Sequence, residues 1–536
     1  MSTDFAECLN PLNVIKKVKP ETLDFAVVSA GVFTTQNPEI IKSCLQECTR
    51  ALKHGGLLFL QGHPKFLPSL GVFLDQILTF KYWIAVESEE WRPTAGLPSV
   101  HAGILLFVKG KKFDIPRMRF PHRYCAACGK TLRDWGGKSH LMHPDGRAIS
   151  DVWMELPQLD NYNDVSPPVL EMILRLADSQ RKHGLILTGC KARKREMDIK
   201  PVATDCGAAR KPCTLHEDMT NVILCGNALE KLREYPDGCI DLAFADPPYN
   251  LQKSYGSYRD ALIEKEYVNW CDSWLAEYVR ILKPTGSLYV LNLPRWSMYH
   301  AEFLNKVMHF QNWIVWNAPS EPRGKLVPAH YSLLFYTKHP TEFTFNYNDM
   351  REIDSRDYCL RTSCIRRRKS AGEDKKETLT DFWWDIHRIK HRRSRDYHPC
   401  QLPDALLERI IKLSSNPGDI VLDAFNGVGT TTIVAARLGR KYIGIDIDPG
   451  YVEISRQKHA EIESAGRRLR QSTRKPRTTY TKKELQMELY ALANRLGRLP
   501  TPEDVEAYTN YDVEVFFSVF PTWGKALKAA KILIRE

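Results

Sequence analysis

Asp241-Leu-Ala-Phe-Ala-Asp246-Pro247-Pro248-Tyr249-Asn250 is the stretch that decides how this chain is read. The apolar run is short enough for one buried strand, and two consecutive prolines, with no N–H to give a neighbouring strand, must end it. Asp246 and the residues after it are therefore expected at the carboxyl end of a strand, the edge where open α/β sheets place their ligands. That combination suits methylation of an exocyclic amine on a nucleobase. Such a nitrogen is a poor nucleophile because its lone pair is delocalised into the ring. Two acceptors, the Asp246 carboxylate and the Pro247 carbonyl, could hold both N–H bonds and favour a pyramidal nitrogen in the transition state. Tyr249 would stack on a base drawn out of the duplex. A plain strand-to-loop turn is the competing reading, and the downstream residues weigh against it.

Beyond this turn, Gly418-Asp-Ile-Val-Leu-Asp423-Ala-Phe425-Asn426-Gly427-Val-Gly429-Thr430-Thr431-Thr432 is a second apolar strand running into a glycine-rich turn and a helix-like stretch. The glycines let the backbone approach a ligand closely. Tyr442-Ile-Gly-Ile-Asp446 comes next as another strand ending in a carboxylate, about twenty residues after the turn, where a Rossmann-like site holds ribose hydroxyls.

In this combination the chain resembles the beta-class DNA amino-methyltransferases, over roughly residues 219 to 460. The resemblance rests on Asp246-Pro-Pro-Tyr-Asn250, Leu282-Lys-Pro-Thr-Gly286, His398-Pro-Cys-Gln-Leu-Pro403 and the glycine turn, in that permuted order. It implies S-adenosyl-L-methionine as methyl donor and double-stranded DNA as substrate, with Asp246, Pro247, Pro248 and Tyr249 catalytic. Asn227, His398, Asp423, Phe425, Asn426, Gly427, Gly429, Thr430, Thr431 and Asp446 would then lie at the donor. Family members usually read Asp-Pro-Phe at the turn and His-Pro-Thr-x-Lys-Pro before it. Here Ala424, Cys400 and Leu402 stand instead, so the contact made by that Lys does not carry over. The resemblance favours adenine N6, which the family more often pairs with Asp-Pro-Pro-Tyr, over cytosine N4.

The chain also repeats itself. Asp24-Phe-Ala-Val-Val-Ser29-Ala-Gly-Val32 parallels Asp241 to Tyr249, and Arg50-Ala-Leu-Lys-His-Gly-Gly56-Leu parallels Arg280-Ile-Leu-Lys-Pro-Thr-Gly286-Ser. His101-Ala-Gly-Ile-Leu-Leu-Phe-Val-Lys parallels His330-Tyr-Ser-Leu-Leu-Phe-Tyr-Thr-Lys, and Ser150-Asp-Val-Trp153 parallels Thr380-Asp-Phe-Trp383. Ser29 replaces Asp246, Val32 replaces Tyr249, and no Gly-x-Gly turn follows His183 to Gly189. Residues 1–190 are thus expected to form a methyltransferase-like domain without catalysis. A linker would span 191–220, and the catalytic domain 221–464, with a recognition segment at 345–397. A basic linker at 465–481 would lead to a small helical domain at 482–536. The expected class is α/β: two Rossmann-like domains and an all-α module. In that module Leu496-Gly-Arg-Leu-Pro-Thr501 and Trp523-Gly-Lys-Ala-Leu resemble the helical repeat appended to homing endonucleases.

With 536 residues, 43% apolar and 26% charged, and a net charge of +12, the chain has core enough for several domains and suits a polyanionic partner. No apolar run reaches membrane-spanning length and no signal-peptide profile opens it, so a cytoplasmic protein is expected. Arg366, Arg367, Arg368 and Lys369, with Arg388, Lys390, Arg392, Arg393 and Arg395, are expected against DNA phosphates. Of the 14 cysteines, Cys125 and Cys128 in the first copy and Cys359 and Cys364 in the second fall at corresponding places. They could complete a tetrahedral zinc site between the copies; Cys125 and Cys128 with His140 and His143 form the other candidate set. A catalytically vestigial DNA-binding regulator is the competing function. A restriction nuclease partner is left open.

Overall fold

The computed structural model describes residues 4–5, 11–29, 38–92, 94–132, 142–158, 164–187, 215–251, 254–255, 258–259, 261–318, 324–359, 361–388, 401–464, 482–496, 498–509, 511 and 513–530. His398, Cys400 and His140 lie outside them. The chain divides into two compact units, 1–465 and 466–536. No described helix is long and apolar enough to cross a membrane.

In the first half of the larger unit, β1 (Asp4–Phe5), β2 (Leu23–Ser29), β3 (Leu52–Gly62), β4 (Thr79–Arg92), β5 (Ser99–Val108), β6 (Val152–Gln158) and β7 (Gly184–Leu187) form one sheet in the order β1-β7-β2-β3-β5-β4-β6. The second half contributes β8 (Val222–Cys225), β9 (Ile240–Ala245), β10 (Leu282–Asn292), β11 (His309–Asn317), β12 (His330–Thr337), β13 (Phe382–Trp383), β14 (Ile420–Asp423) and β15 (Lys441–Asp446), in the order β8-β15-β14-β9-β10-β12-β11-β13. The sequence parallels fall on matching strands. In the first sheet the place that β15, the strand ending in Asp446, takes beside β14 is held beside β7 by the two-residue β1.

Helices cover both sheets as α/β packing requires. In the first half these are α1 (Pro11–Lys16), α2 (Pro38–Ala51), α3 (Leu67–Asp75) and α4 (Pro167–Leu176). In the second they are α5 (Ala228–Arg233), α6 (Glu264–Ile281), α7 (Pro294–Val307), α8 (Thr362–Ala371), α9 (Asp404–Ser414), α10 (Thr430–Arg437) and α11 (Pro449–Ser464). One apolar core runs through both halves, joining Leu58, Leu70 and Trp83 to Trp274, Met298 and Trp313. At Gly71 of α3 an added Cβ would sit 2.5 Å from the Met298 sulfur of α7, so the two helices touch closely there.

The halves meet reciprocally. Trp83 of β4 and Trp313 of β11, equivalent in the repeat, stack with centroids 3.9 Å apart. Asp151 accepts the Ala329 N–H at 2.8 Å, while its equivalent Asp381 accepts the Val100 N–H at 2.9 Å. The Asp151 N–H donates to Val327 O, and that of Asp381 to Pro98 O. Each contact is answered by its mirror, the signature of a two-fold interface, here within one chain.

The second unit holds α12 (Lys482–Leu496), α13 (Pro502–Tyr508), α14 (Val513–Val519) and α15 (Trp523–Ala529). Leu485, Leu489, Leu492, Val505, Phe516 and Phe520 form its core. Thr501 and Asp504 close a capping box at the start of α13, and Arg498 pairs bidentately with Asp504.

Candidate active site

Three carboxylates gather at the carboxyl edge of the second sheet. Strand β9 lies between β14 and β10, and Phe244 stands opposite Asp423 in the register. Asp246 therefore emerges beside Asp423. In β15 Gly444 stands opposite Asp423, which brings Asp446 next along the edge. From β9 the chain proceeds to β10 on one side, while β14 and β15 lie on the other, so the acids occupy the crevice where the winding reverses.

Burial dominates their electrostatics. Loss of water pushes Asp246 up to about 7, the neighbouring Asp423 charge adds to the rise, and a hydrogen bond from Tyr249 opposes it. Asp423 is likewise pushed up to about 7, by burial and by Asp446, against bonds from Thr431 and the Phe425 N–H. Asp446 is raised by burial, while the N–H groups of Asp448 and Gly427 hold it down. Among the described residues no Lys or Arg forms an ion pair with any of the three. Without a counter-ion Asp246 and Asp423 keep their protons up to about pH 7, and a cationic ligand beside them would favour the ionised forms.

Protein donors fix the proline turn. Tyr267 Oη donates to Pro248 O at 2.7 Å, and Trp296 Nε1 to Tyr249 O at 2.9 Å. Among the described residues no donor bonds the carbonyl of buried Pro247. Tyr278 Oη donates to Phe244 O and accepts from the Ala424 N–H, tying the ends of β9 and β14 together. Tyr249 is 8% exposed and its hydroxyl donates to Asp246 Oδ1 at 2.6 Å. Tyr331 lies 6.0 Å from its ring, with the Arg388 guanidinium 5.3 Å over Tyr331. Asn250 (φ 53°) closes the base of the following loop with two bonds to Leu262. Beside it a cavity of about 310 Å³ is lined by Asn250, Leu251, Leu262, Glu264, Arg295 and Trp296. The first half reaches this cavity: buried Asp75 accepts from Arg295, which also forks onto Glu264.

The glycine turn forms the other wall. Gly429 has φ +90°, and a Cβ there would lie 2.3 Å from Ser455 Oγ, so only glycine fits. The Gly427 N–H donates to Asp446 Oδ2 at 2.7 Å, and the Asp448 N–H to Oδ1. Each oxygen keeps a lone pair for a ligand hydroxyl. Phe425 packs edge-on against Trp270 and Trp274. Asn426 faces inward, bonding Ser455 and Thr432, and Thr431 is buried, so these two brace the turn; Thr430 is half-buried at its rim. Asn227 caps α5 through its side chain, two residues beyond β8. In the first half Ser29, at the Asp246 position, donates to Gln61.

Sequence reasoning missed the supports Tyr267, Tyr278, Trp296 and Ser455, which are distant in the chain and marked by no motif. It also placed Arg368 among DNA-facing cations. The structure corrects that placement: Arg368 is 3% exposed and its guanidinium is held by Asp374, the Cys359 carbonyl and Cys364. Trp383 is buried and Trp384 carries Arg356 on its face, both as packing residues. The four cysteines do come together, their sulfurs within 4.8 Å of one another, while His143 turns to its own loop at Asp145.

Comparison with known proteins agrees with this geometry. The model of the DNA methylase family matches residues 38–217 and 240–457, and the homing endonuclease associated repeat matches 480–532. The chain is 38% identical over 239 residues to the type II methyltransferase M.BamHI of Bacillus amyloliquefaciens, covering 44% of this chain and 55% of that one. It is 36% identical over 245 residues to M.HpaI of Haemophilus parainfluenzae, covering 45% and 74%. To the DNA adenine methyltransferase YhdJ of Escherichia coli it is 34% identical over 238 residues, covering 43% and 80%. The chain thus spans about half the length of the first relative and about three quarters or more of the other two. The family match covers well over half of the sequence and includes both the proline turn and the glycine turn, so this chain belongs to the N6/N4 DNA methylase family.

Proposed function

We propose that the chain methylates an exocyclic amine of duplex DNA, adenine N6 in preference to cytosine N4, with S-adenosyl-L-methionine as donor. The observation that carries this reading is the row of three carboxylates at the reversal point, Asp423 buried and Asp246 and Asp446 half-buried, with no Lys or Arg paired to them among the described residues. The residues fit the donor: Asp446 suits a ribose diol, the glycine turn allows close approach, Phe425 offers an apolar face, and the unneutralised acids suit a cationic ligand. The bound donor supplies an electrophilic methyl group.

The chain does the rest. Asp246 and the Pro247 carbonyl accept the two amine N–H bonds and orient the nitrogen, and Asp246 can take up the proton released. Tyr249 leaves its bond to Asp246 to stack on the flipped base, beside Tyr331 and Arg388. Arg366, Arg367 and Lys369, all exposed on α8, hold the backbone. The first half acts as a catalysis-free copy, braced on the active one, and the helical unit adds DNA contact. Adenine is favoured by Asp-Pro-Pro-Tyr and by YhdJ, whose name states adenine.

Tritium transfer from labelled donor to duplex DNA, RNA and protein tests this. Label in DNA, recovered as N6-methyladenine, is the expected result. Label as N4-methylcytosine would overturn the base assignment, and donor binding without transfer to any acceptor would make the chain a regulator.

A further inference from the structure

Away from the active site, the lobe where residues 119–148 meet residues 352–378 has an unusual interior. At its centre Cys125, Cys359 and Cys364 form a separate buried cluster, with Cys128, Ala127, Leu132 and Tyr358 packed around them. A cluster with so little apolar volume needs another source of cohesion. The four sulfurs supply the geometry for one. Cys125 Sγ lies 3.7 Å from Cys364 Sγ and Cys128 Sγ 3.6 Å from Cys359 Sγ, with all four within 4.8 Å. A tetrahedral zinc with bonds of about 2.3 Å has ligand edges of about 3.8 Å. Disulfide bonding would need about 2.05 Å.

The surroundings match a metal knuckle. Cys125-Ala-Ala-Cys128 turns tightly, with the Gly129 N–H on Cys125 O and Gly129 at φ 66°. Across the lobe, Cys359 and Cys364 flank the start of α8, and Arg368 Nη1 donates to Cys364 Sγ at 3.4 Å, a compensating outer contact for an electron-rich sulfur. The two segments are also stitched by the Ala126 N–H to Asp357 O and by Arg123 to Asp357.

We propose that Cys125, Cys128, Cys359 and Cys364 hold one structural zinc ion, two ligands from each half, which seats the basic helix α8 on the first half of the chain. Arg368 then turns inward while Arg366, Arg367 and Lys369 face outward, so the metal sets which cations are presented.

Metal analysis of the full-length protein should give one zinc per chain, released when four thiols react with a mercurial. Cobalt exchanged into the site should show the strong visible absorption of a tetrahedral tetrathiolate. Cys359→Ser and Cys128→Ser should lower retained zinc at least tenfold, and Cys225→Ser, on β8, should not. Metal-free protein with four reactive thiols, disulfides joining these cysteines, or iron in place of zinc would overturn the assignment, and none of these readouts depends on the variants folding. The seating role rests on the function proposed above and has its own arm. Cys359→Ser should weaken duplex binding about tenfold with donor affinity unchanged; unaltered duplex binding would refute the seating alone.

Discussion

The Tyr249 hydroxyl donates to Asp246 Oδ1 at 2.6 Å, so the aromatic ring and the carboxylate that flank the proline turn are bound to each other. This bond favours the ionised carboxylate against the burial that raises it. An acceptor of amine N–H bonds must be ionised. The pH profile of kcat/KM should therefore rise through about 7 and level off above it. In Tyr249→Phe the inflection should move to higher pH, and Tyr249→Ala should also lose base stacking, worth about 1–3 kcal/mol. An inflection that stays put in Tyr249→Phe would detach the hydroxyl from the catalytic acid.

Asp246→Ala should reduce methyl transfer at least about 100-fold, the usual effect of removing one aligned transition-state hydrogen-bonding group. Donor affinity measured by calorimetry should fall little. Retained turnover would remove Asp246 from the centre of the mechanism.

Asp446→Ala should weaken donor binding by about 1.5–3 kcal/mol, the scale of a hydrogen bond to a charged group, and leave duplex affinity in place. The strand-end position of this residue beside the glycine turn was legible in the sequence, and its ribose role remains the proposal made on it. The proline turn and the α/β class were legible for the same reason: their logic is local. The reciprocal Asp151 and Asp381 contacts, the Tyr267 and Trp296 anchors and the inward turn of Arg368 were not. Each depends on segments 9 to 281 residues apart meeting in space, and an Arg within a basic run looks the same whether it faces solvent or Asp374.

Asp246 and Asp423, both pushed up to about 7, link stability to pH. Their unfolded values lie near 3.9, so between about 4 and 7 the folded chain binds more protons than the unfolded one. Their contribution is complete below about pH 4 and is lost as pH rises through about 7. A cationic donor favours the ionised acids and should raise the melting temperature more at pH 8 than at pH 6. Equal gains at both pH values would disconnect the acids from the donor.

Trp313→Ala should cost about 3–5 kcal/mol, the range for deleting a large buried aromatic, and should destabilise both halves in one transition because they share a core. His101 lies in the same interface, accepting from Trp83 Nε1 and facing Trp313 O, and burial holds it down at about 3. Its neutral form contributes stability above its unfolded value of about 6.5, lost as pH falls towards about 3. Circular dichroism melts of wild type and His101→Gln compared from pH 7 to 4 should isolate this loss as a difference that changes in the variant's favour as pH falls. Separate transitions for the two halves would show that the core does not couple them.

The mirrored seam between the halves has a kinetic corollary. Were the proposed target a palindrome, a chain with two like halves but one reactive centre would mark one strand per visit. Completing the opposite strand would oblige it to let go, turn end over end and land again, so half-marked duplex should accumulate early in a time course on such a site.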